Sequence, residues 1–237
     1  MRCIQKKAEP HTFKVWKQKF VKIHGRQPKY DDLKGTDMYL LLKEALLKEQ
    51  GYVCCYCEKR IGIEPYYTDC DIEHFMPRHP ERKVLTALEC QICENAQMEY
   101  HNLMASCKGE WQDSLDHCNH KKDNWFNFRT CVSPTDKKIE QIFGYSTGGK
   151  MFPIDGNEYG RDMQEHLNLN SDILKQQRRA AYITVLEQEF DEEELLQDED
   201  YINDTIREYR EMREGKFYEF GSMIVYCLEN FFQREVL

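Results

Sequence analysis

Residues 71–77 read DIEHFMP, and two of them could do chemistry together: Glu73 and His74. A histidine titrates near neutrality, so its free base can take a proton from water. A neighbouring carboxylate can hold a cation. Alone, the pair fits a satisfied core or surface histidine equally well, so its surroundings decide. Upstream, GYVCCYCEKRI carries Cys54 and Cys57, a Cys-x-x-Cys turn that brings two thiolates to one tetrahedral zinc ion. That turn is half a site. Cys90 and Cys93 offer a second half with the same regular spacing; Cys107 and Cys118 offer another, with ten residues between them. A zinc ribbon on Cys54, Cys57, Cys90 and Cys93 is therefore one reading of the chain.

These residues need elements to hold them. The chain has 237 residues, 41% of them hydrophobic, enough for one large domain or two small ones. No run of eighteen apolar residues occurs, so no membrane-spanning helix is expected. The first residues, MRCIQKKAEPHTFKVWK, lack the apolar stretch of a secretory leader, and the expected location is cytoplasmic. Eleven cysteines in such a setting point to metal ligation rather than to disulfides. Cys3, Cys131 and Cys227 stand alone, and Cys55 and Cys70 are read as structural.

Phe13, Trp16, Phe20 and Ile23 recur at helical spacing over residues 12–23, a basic amphipathic helix. Residues 37–50 predict a second helix, stopped by Gly51. Residues 52–125 hold five of the eight histidines and most cysteines in short segments, as a metal-stapled module would. Around Gly148 and Gly149 two short alternating runs predict a β-hairpin. Helical patterns return over 172–190 and 201–232, separated by the acidic FDEEELLQDED, read as a linker or solvated helix end. Three regions follow: a basic helical arm over 1–50, the module over 51–125, and a hairpin with acidic helices over 126–237. Lysines and arginines outnumber acids by 12 to 6 over 1–50, whereas the whole chain carries −9. Such a chain is a poor lone binder of polyanions, which hints at a partner.

Read in order, Cys54-x-x-Cys57, Glu73-His74-x-x-Pro77, Asn102-Leu103, Cys107 and Cys118-Asn119-x-x-Lys122 resemble the HNH nucleases, the ββα-metal fold. The resemblance implies an α+β chain, mainly helical, around a small zinc-stapled ββα-metal module. It implies a structural zinc on Cys54, Cys57, Cys107 and Cys118, with His117 as the alternative fourth ligand. His74 becomes the general base. Glu73, where the family usually has Asp, and Asn119 would hold catalytic Mg²⁺ or Mn²⁺, although on an extended strand Glu73 needs a twist or bulge to converge with His74. Asn102 would tie the loop and position the base, and Asp71 would support it. His120, Lys121 and Lys122 are candidate phosphate contacts. The bland alternatives are a helix N-cap for Asn119 and solvated side chains for His117, His120 and the two lysines; Cys90 and Cys93 are a second metal pair or simply reduced thiols.

The likeness continues through MRCIQKKAEP, DNWFNF, IFGYSTGGKMFP and LNLNSDILKQQRRAA, to about Ala181, and there resembles the PtuB-like nuclease subunits of Septu-type anti-phage systems, also found beside some retrons. That implies a nucleic-acid substrate, DNA before RNA, and an ABC/SMC-like ATPase partner, with the apolar C-terminal helices as candidates for the interface. A competing class is a catalytically silent zinc module used for assembly or nucleic-acid binding.

Overall fold

The computed structural model describes residues 1–109, 116–187 and 199–232. Helix α1, His11–His24, buries Phe13 and ends where Gly25 takes a left-handed φ of +67° and donates its N–H to the Val21 carbonyl. A single turn, α2 (Tyr30–Leu33), leads into α3 (Asp37–Glu49), whose Met38, Leu42, Leu46 and Leu47 face the core. The chain then makes the turn that carries Cys54 and Cys57, closed by Cys54 N–H to the Lys59 carbonyl at 2.9 Å and Glu58 N–H to the Cys54 carbonyl at 3.1 Å.

Strand β1 (Cys70–His74) pairs antiparallel with β2 (Leu103–Cys107), in unbroken register from Cys70 opposite Cys107 to His74 opposite Leu103. Between them lies α4 (Ala87–Asn95), started by a capping box of Thr86 and Glu89. The short helix α5 (Cys118–Lys122) follows β2. The expected hairpin is present as β3 (Phe143–Tyr145) and β4 (Met151–Pro153). Helices α6 (Glu158–His166), α7 (Asp172–Tyr182), α8 (Glu199–Arg210) and α9 (Gly221–Cys227) complete the described chain. It is an α+β architecture of helices with two small sheets.

The sequence pattern over 201–232 predicts one helix, but two form. Glu214 and Gly215 both have positive φ, and Arg213 bridges back to Lys216, a tight turn that no helix can run through. The apolar stripe of α9 is also not left for a partner: Met223, Ile224, Val225 and Cys227 are buried in the chain's own core. One cluster of apolar side chains runs from the N-terminal segment through the cysteine-rich stretch to α9, so the three regions drawn on the sequence share a core. Most of the acidic stretch 190–200 lies outside the described residues. No described helix is long and apolar enough to cross a membrane.

Gln50 welds the cysteine turn to β2. Its side-chain amide is buried; Nε2 donates to the Val53 and Ala105 carbonyls at 3.0 and 2.8 Å, and Oε1 accepts the Ala105 N–H at 2.7 Å. That satisfies backbone groups of a strand that has a neighbour only on its other side. Gln50→Leu fills the same space without those bonds, and we expect about 2–3 kcal/mol less unfolding free energy in urea titrations.

Candidate active site

The Sγ atoms of Cys54, Cys57, Cys107 and Cys118 all lie within 4.8 Å of one another, and all four residues are buried. A tetrahedral zinc with Zn–S bonds of about 2.3 Å has S···S edges of about 3.8 Å; Cys57 and Cys107 already stand 3.8 Å apart. The donor set therefore fits a structural zinc ion. Its electrostatics agree: burial and the neighbouring thiols of Cys107 and Cys54 push the Cys118 thiol well up, while against its own burial Cys54 is drawn well down by bonds from Cys107 and Cys118. Zinc ligation requires thiolates, and a divalent cation is what lets buried thiolates gather at one point.

The ten-residue insertion between Cys107 and Cys118 is no obstacle because its neck is pinched shut. His117 N–H donates to the Gly109 carbonyl at 3.2 Å. Gly109 has a φ of +67°, and a Cβ there would sit 1.7 Å from the His117 carbonyl oxygen, so the pinch admits only glycine. His117, the alternative fourth ligand, borders the cluster: its Nδ1 lies 3.2 Å from Cys118 Sγ and 3.8 Å from Cys107 Sγ. Cys90 and Cys93, buried on α4, belong to no metal-ligating group among the described residues, which removes the zinc-ribbon reading.

Tyr56, inside the cysteine turn, donates its hydroxyl to Glu73 Oε1 at 2.8 Å. Lys122, at the end of α5, pairs with the same oxygen at 2.8 Å and also donates to the His74 carbonyl at 2.9 Å. Both partners of this ion pair are buried. Lys122 is thus withdrawn from phosphate contact, contrary to the sequence expectation: its ammonium is spent inside. Glu73 and His74 both border one cavity of about 380 Å³, with Asn119, His120, Asp71 and Asp123. β1 keeps regular pairing to its last residue, with no bulge, so the Glu73 and His74 side chains leave it on opposite faces.

His74 is almost buried. Its Nε2 lies 3.0 Å from the Gln97 carbonyl, which can only accept, so Nε2 carries the proton and Nδ1 is the basic nitrogen. The Tyr30 ring meets it edge-on at 4.4 Å. Burial, helped by the positive charge of Arg78, pushes its pKa down to about 3 from an ordinary 6.5. Folding therefore keeps this imidazole neutral; that contribution is complete above pH 6.5 and is lost as the pH falls toward 3, because the unfolded chain takes the proton first.

No protein-family model and no curated protein matches this chain. What the site does must be read from its geometry.

Asn102 does not border the cavity. It holds the loop after His74 in place: Oδ1 accepts Met76 N–H at 2.7 Å, Nδ2 donates to the Met76 and Ala96 carbonyls, and its own carbonyl accepts Phe75 N–H. His120 lies on the cavity wall, paired with Asp116 at 3.1 Å, whereas Lys121 is exposed and outside it. The sequence reading passed over Asp123, Tyr30, Lys34, Arg78 and His79, all on the wall. Asp123 lies just past the end of α5 at a positive φ of 44°, so helical spacing from Asn119 does not foretell its place on the wall.

Zinc content by elemental analysis should fall to zero in Cys107→Ser and Cys118→Ser, fall markedly in Gly109→Ala, and stay unchanged in Cys90→Ser and Cys93→Ser. Lys122→Met, which strands the buried Glu73 carboxylate, should cost about 3–5 kcal/mol in chemical denaturation; Tyr56→Phe, which removes one of two donors, should cost only about 1–2 kcal/mol.

Proposed function

We propose that the protein is a divalent-metal-dependent HNH endonuclease that hydrolyses phosphodiester bonds. The observation that carries this reading is that His74, a histidine of fixed tautomer, Glu73 and Asn119 line one cavity. It is supported by the succession of an antiparallel strand pair and a short helix, with a four-cysteine cluster joining the helix to the preceding turn. In this reading His74 Nδ1 accepts a proton from the attacking water as the oxygen–phosphorus bond forms and the ester oxygen departs. Glu73 and Asn119 would hold Mg²⁺ or Mn²⁺, with the Asp71 and Asp123 carboxylates on the same wall. Oε1 of Glu73 is taken by Tyr56 and Lys122, which leaves Oε2 as the ligand atom. The ion, when bound, supplies charge neutralisation at the reacting phosphate. Asn102 acts at one remove, by fixing the loop that follows the base.

We place this activity in an anti-phage complex with an ABC/SMC-like ATPase, on the order of motifs that resembles Septu-type nucleases. The acidic balance of the chain suits a nuclease that borrows nucleic-acid affinity from a partner. The silent-module reading keeps one observation in its favour: the buried Lys122 neutralises the Glu73 carboxylate.

Plasmid DNA and total RNA, incubated with Mg²⁺ or Mn²⁺, decide between them. We expect cleavage by the wild type and at least about a hundredfold less by His74→Ala, the usual scale for losing a general base, with stability and zinc retained. Because His74 stays neutral far below pH 6.5, the cleavage rate should not halve near that pH; a half-loss centred there would mean a solvated base. Cleavage by neither protein, alone or with the ATPase, sinks the nuclease reading.

A further inference from the structure

Residues 11–30 hold Lys14, Lys17, Lys19, Lys22, Arg26 and Lys29 and no aspartate or glutamate, within a chain of net charge −9. These cations are not scattered. Lys14, Lys17, Lys22 and Lys29 line one side of a surface groove of about 1040 Å³ between α1 with its following turn and the segment that ends α4. Glu9, Glu94 and Glu99 line it too. Two of these acids are already neutralised: Glu9 pairs with Lys17 at 2.5 Å, and Glu94 with Arg82 at 2.9 Å. Lys14, Lys22 and Lys29, all exposed, make no ion pair among the described residues, and they stand against Glu99 alone. The groove has a surplus of positive charge on an otherwise acidic protein.

Its position gives that surplus a purpose. The groove and the His74 cavity share a wall. Lys29 borders the groove and the next residue, Tyr30, borders the cavity. Gln97 lines the groove, while its carbonyl holds His74 Nε2 and its Oε1 accepts the Tyr30 N–H at 3.1 Å. Across this ridge, Lys34 and Arg78 line the cavity, sharing one exposed acid, Asp31, at 3.0 and 3.1 Å, with the Arg78 guanidinium 4.6 Å over the Tyr30 ring. We propose that the groove is a track for the phosphodiester backbone of a nucleic-acid strand, carrying the phosphates on one side of the bond presented to His74. The proposal rests on the nuclease reading of that cavity and adds where the substrate lies. Lysine ammonium groups suit the role, since backbone tracking needs point charges rather than base-edge geometry. An acidic peptide would match the charge but would have no reason to continue over the ridge into the cavity.

The test is the salt dependence of binding, measured without added Mg²⁺ or Mn²⁺ so that nothing is cut. The full-length wild type and the triple variant Lys14→Gln/Lys22→Gln/Lys29→Gln are titrated with fluorescent DNA and RNA oligonucleotides, single-stranded and duplex. Each phosphate contact contributes about 0.7–0.9 to the slope of log affinity against log salt. We expect the triple variant to lose about 2 from that slope and about tenfold or more in affinity near physiological salt, with its zinc content and circular dichroism unchanged. The Lys→Arg triple variant should keep the slope. An unchanged slope in the glutamine variant, or no binding by the wild type at low salt, overturns the track. Cleavage assays run in parallel, alone and with the ATPase, separate the two claims. A wild type that cuts while the glutamine variant keeps its slope condemns the groove alone; a wild type that binds with the expected slope but cuts in neither assay condemns the nuclease reading and leaves the groove as a binding surface.

Discussion

The arrangement depends on one closure: the approach of four buried thiols from three separate pieces of chain. Cys54 and Cys57 come from the turn after α3, Cys107 from the last residue of β2, and Cys118 from the first residue of α5. Ten residues of sequence separate β2 from α5, and a five-residue helix has almost no stability of its own. Fixing Cys118 fixes α5, and α5 carries Asn119, Lys122 and, at its end, Asp123. The glycine pinch at Gly109 lets the closure happen across an insertion of this length.

The second consequence runs through Glu73. Its two donors come from the two elements that the thiols join: Tyr56 from the cysteine turn and Lys122 from the short helix. A carboxylate one residue from the end of β1 is thereby held from both elements that the four cysteines join. Lys122 also takes the His74 carbonyl, so the backbone of the histidine and the side chain of the acid answer to the same ammonium. Buried ion pairs of this kind contribute little net stability but are strongly destabilising to break. Their value lies in allowing one geometry. On the nuclease reading that is the requirement a metal carboxylate must meet, with one oxygen anchored and the other presented.

Much of this was legible in the residues. Helical spacing located α1 and α3 within a residue or two, and Gly148-Gly149 marked the hairpin. The cysteine pairing was legible through motif order and not through spacing, because spacing carries no information about a loop neck closed by one positive-φ glycine. Lys122 was misread for a physical reason: a lysine at the end of a polar-looking helix resembles solvated surface, and only the fold reveals that its turn faces a buried acid. The stripe of α9 was ambiguous in the same way, since an apolar face looks alike whether its partner is another chain or its own core. Asn102 shows the opposite case. An amide ties a loop through groups that every residue carries, so a motif position alone foretold its task.

Withdrawing Lys122 from the substrate side has a further effect on how charge is laid out. If α5 supplied the phosphate contacts, the cationic surface would sit on the zinc module itself. With Lys122 internal and Lys121 outside the cavity, the cations left on its wall are Arg78 and Lys34, beside the two histidines His79 and His120. Arg78 follows His74 by four residues and lies over the Tyr30 ring; Lys34 lies four residues past Tyr30. Both therefore converge on the ring that packs against His74. That ring belongs to the N-terminal segment, the basic part of an acidic chain. The arm that the sequence sets apart by charge alone supplies one wall of the cavity, and Tyr30, which packs on the histidine, directly follows Lys29 of the lysine-lined groove. The neutrality of His74 is thus set from more than one segment: burial beside the Tyr30 ring, and the positive charge of Arg78, which follows β1, with Lys122 and Lys34, raise the cost of protonating it.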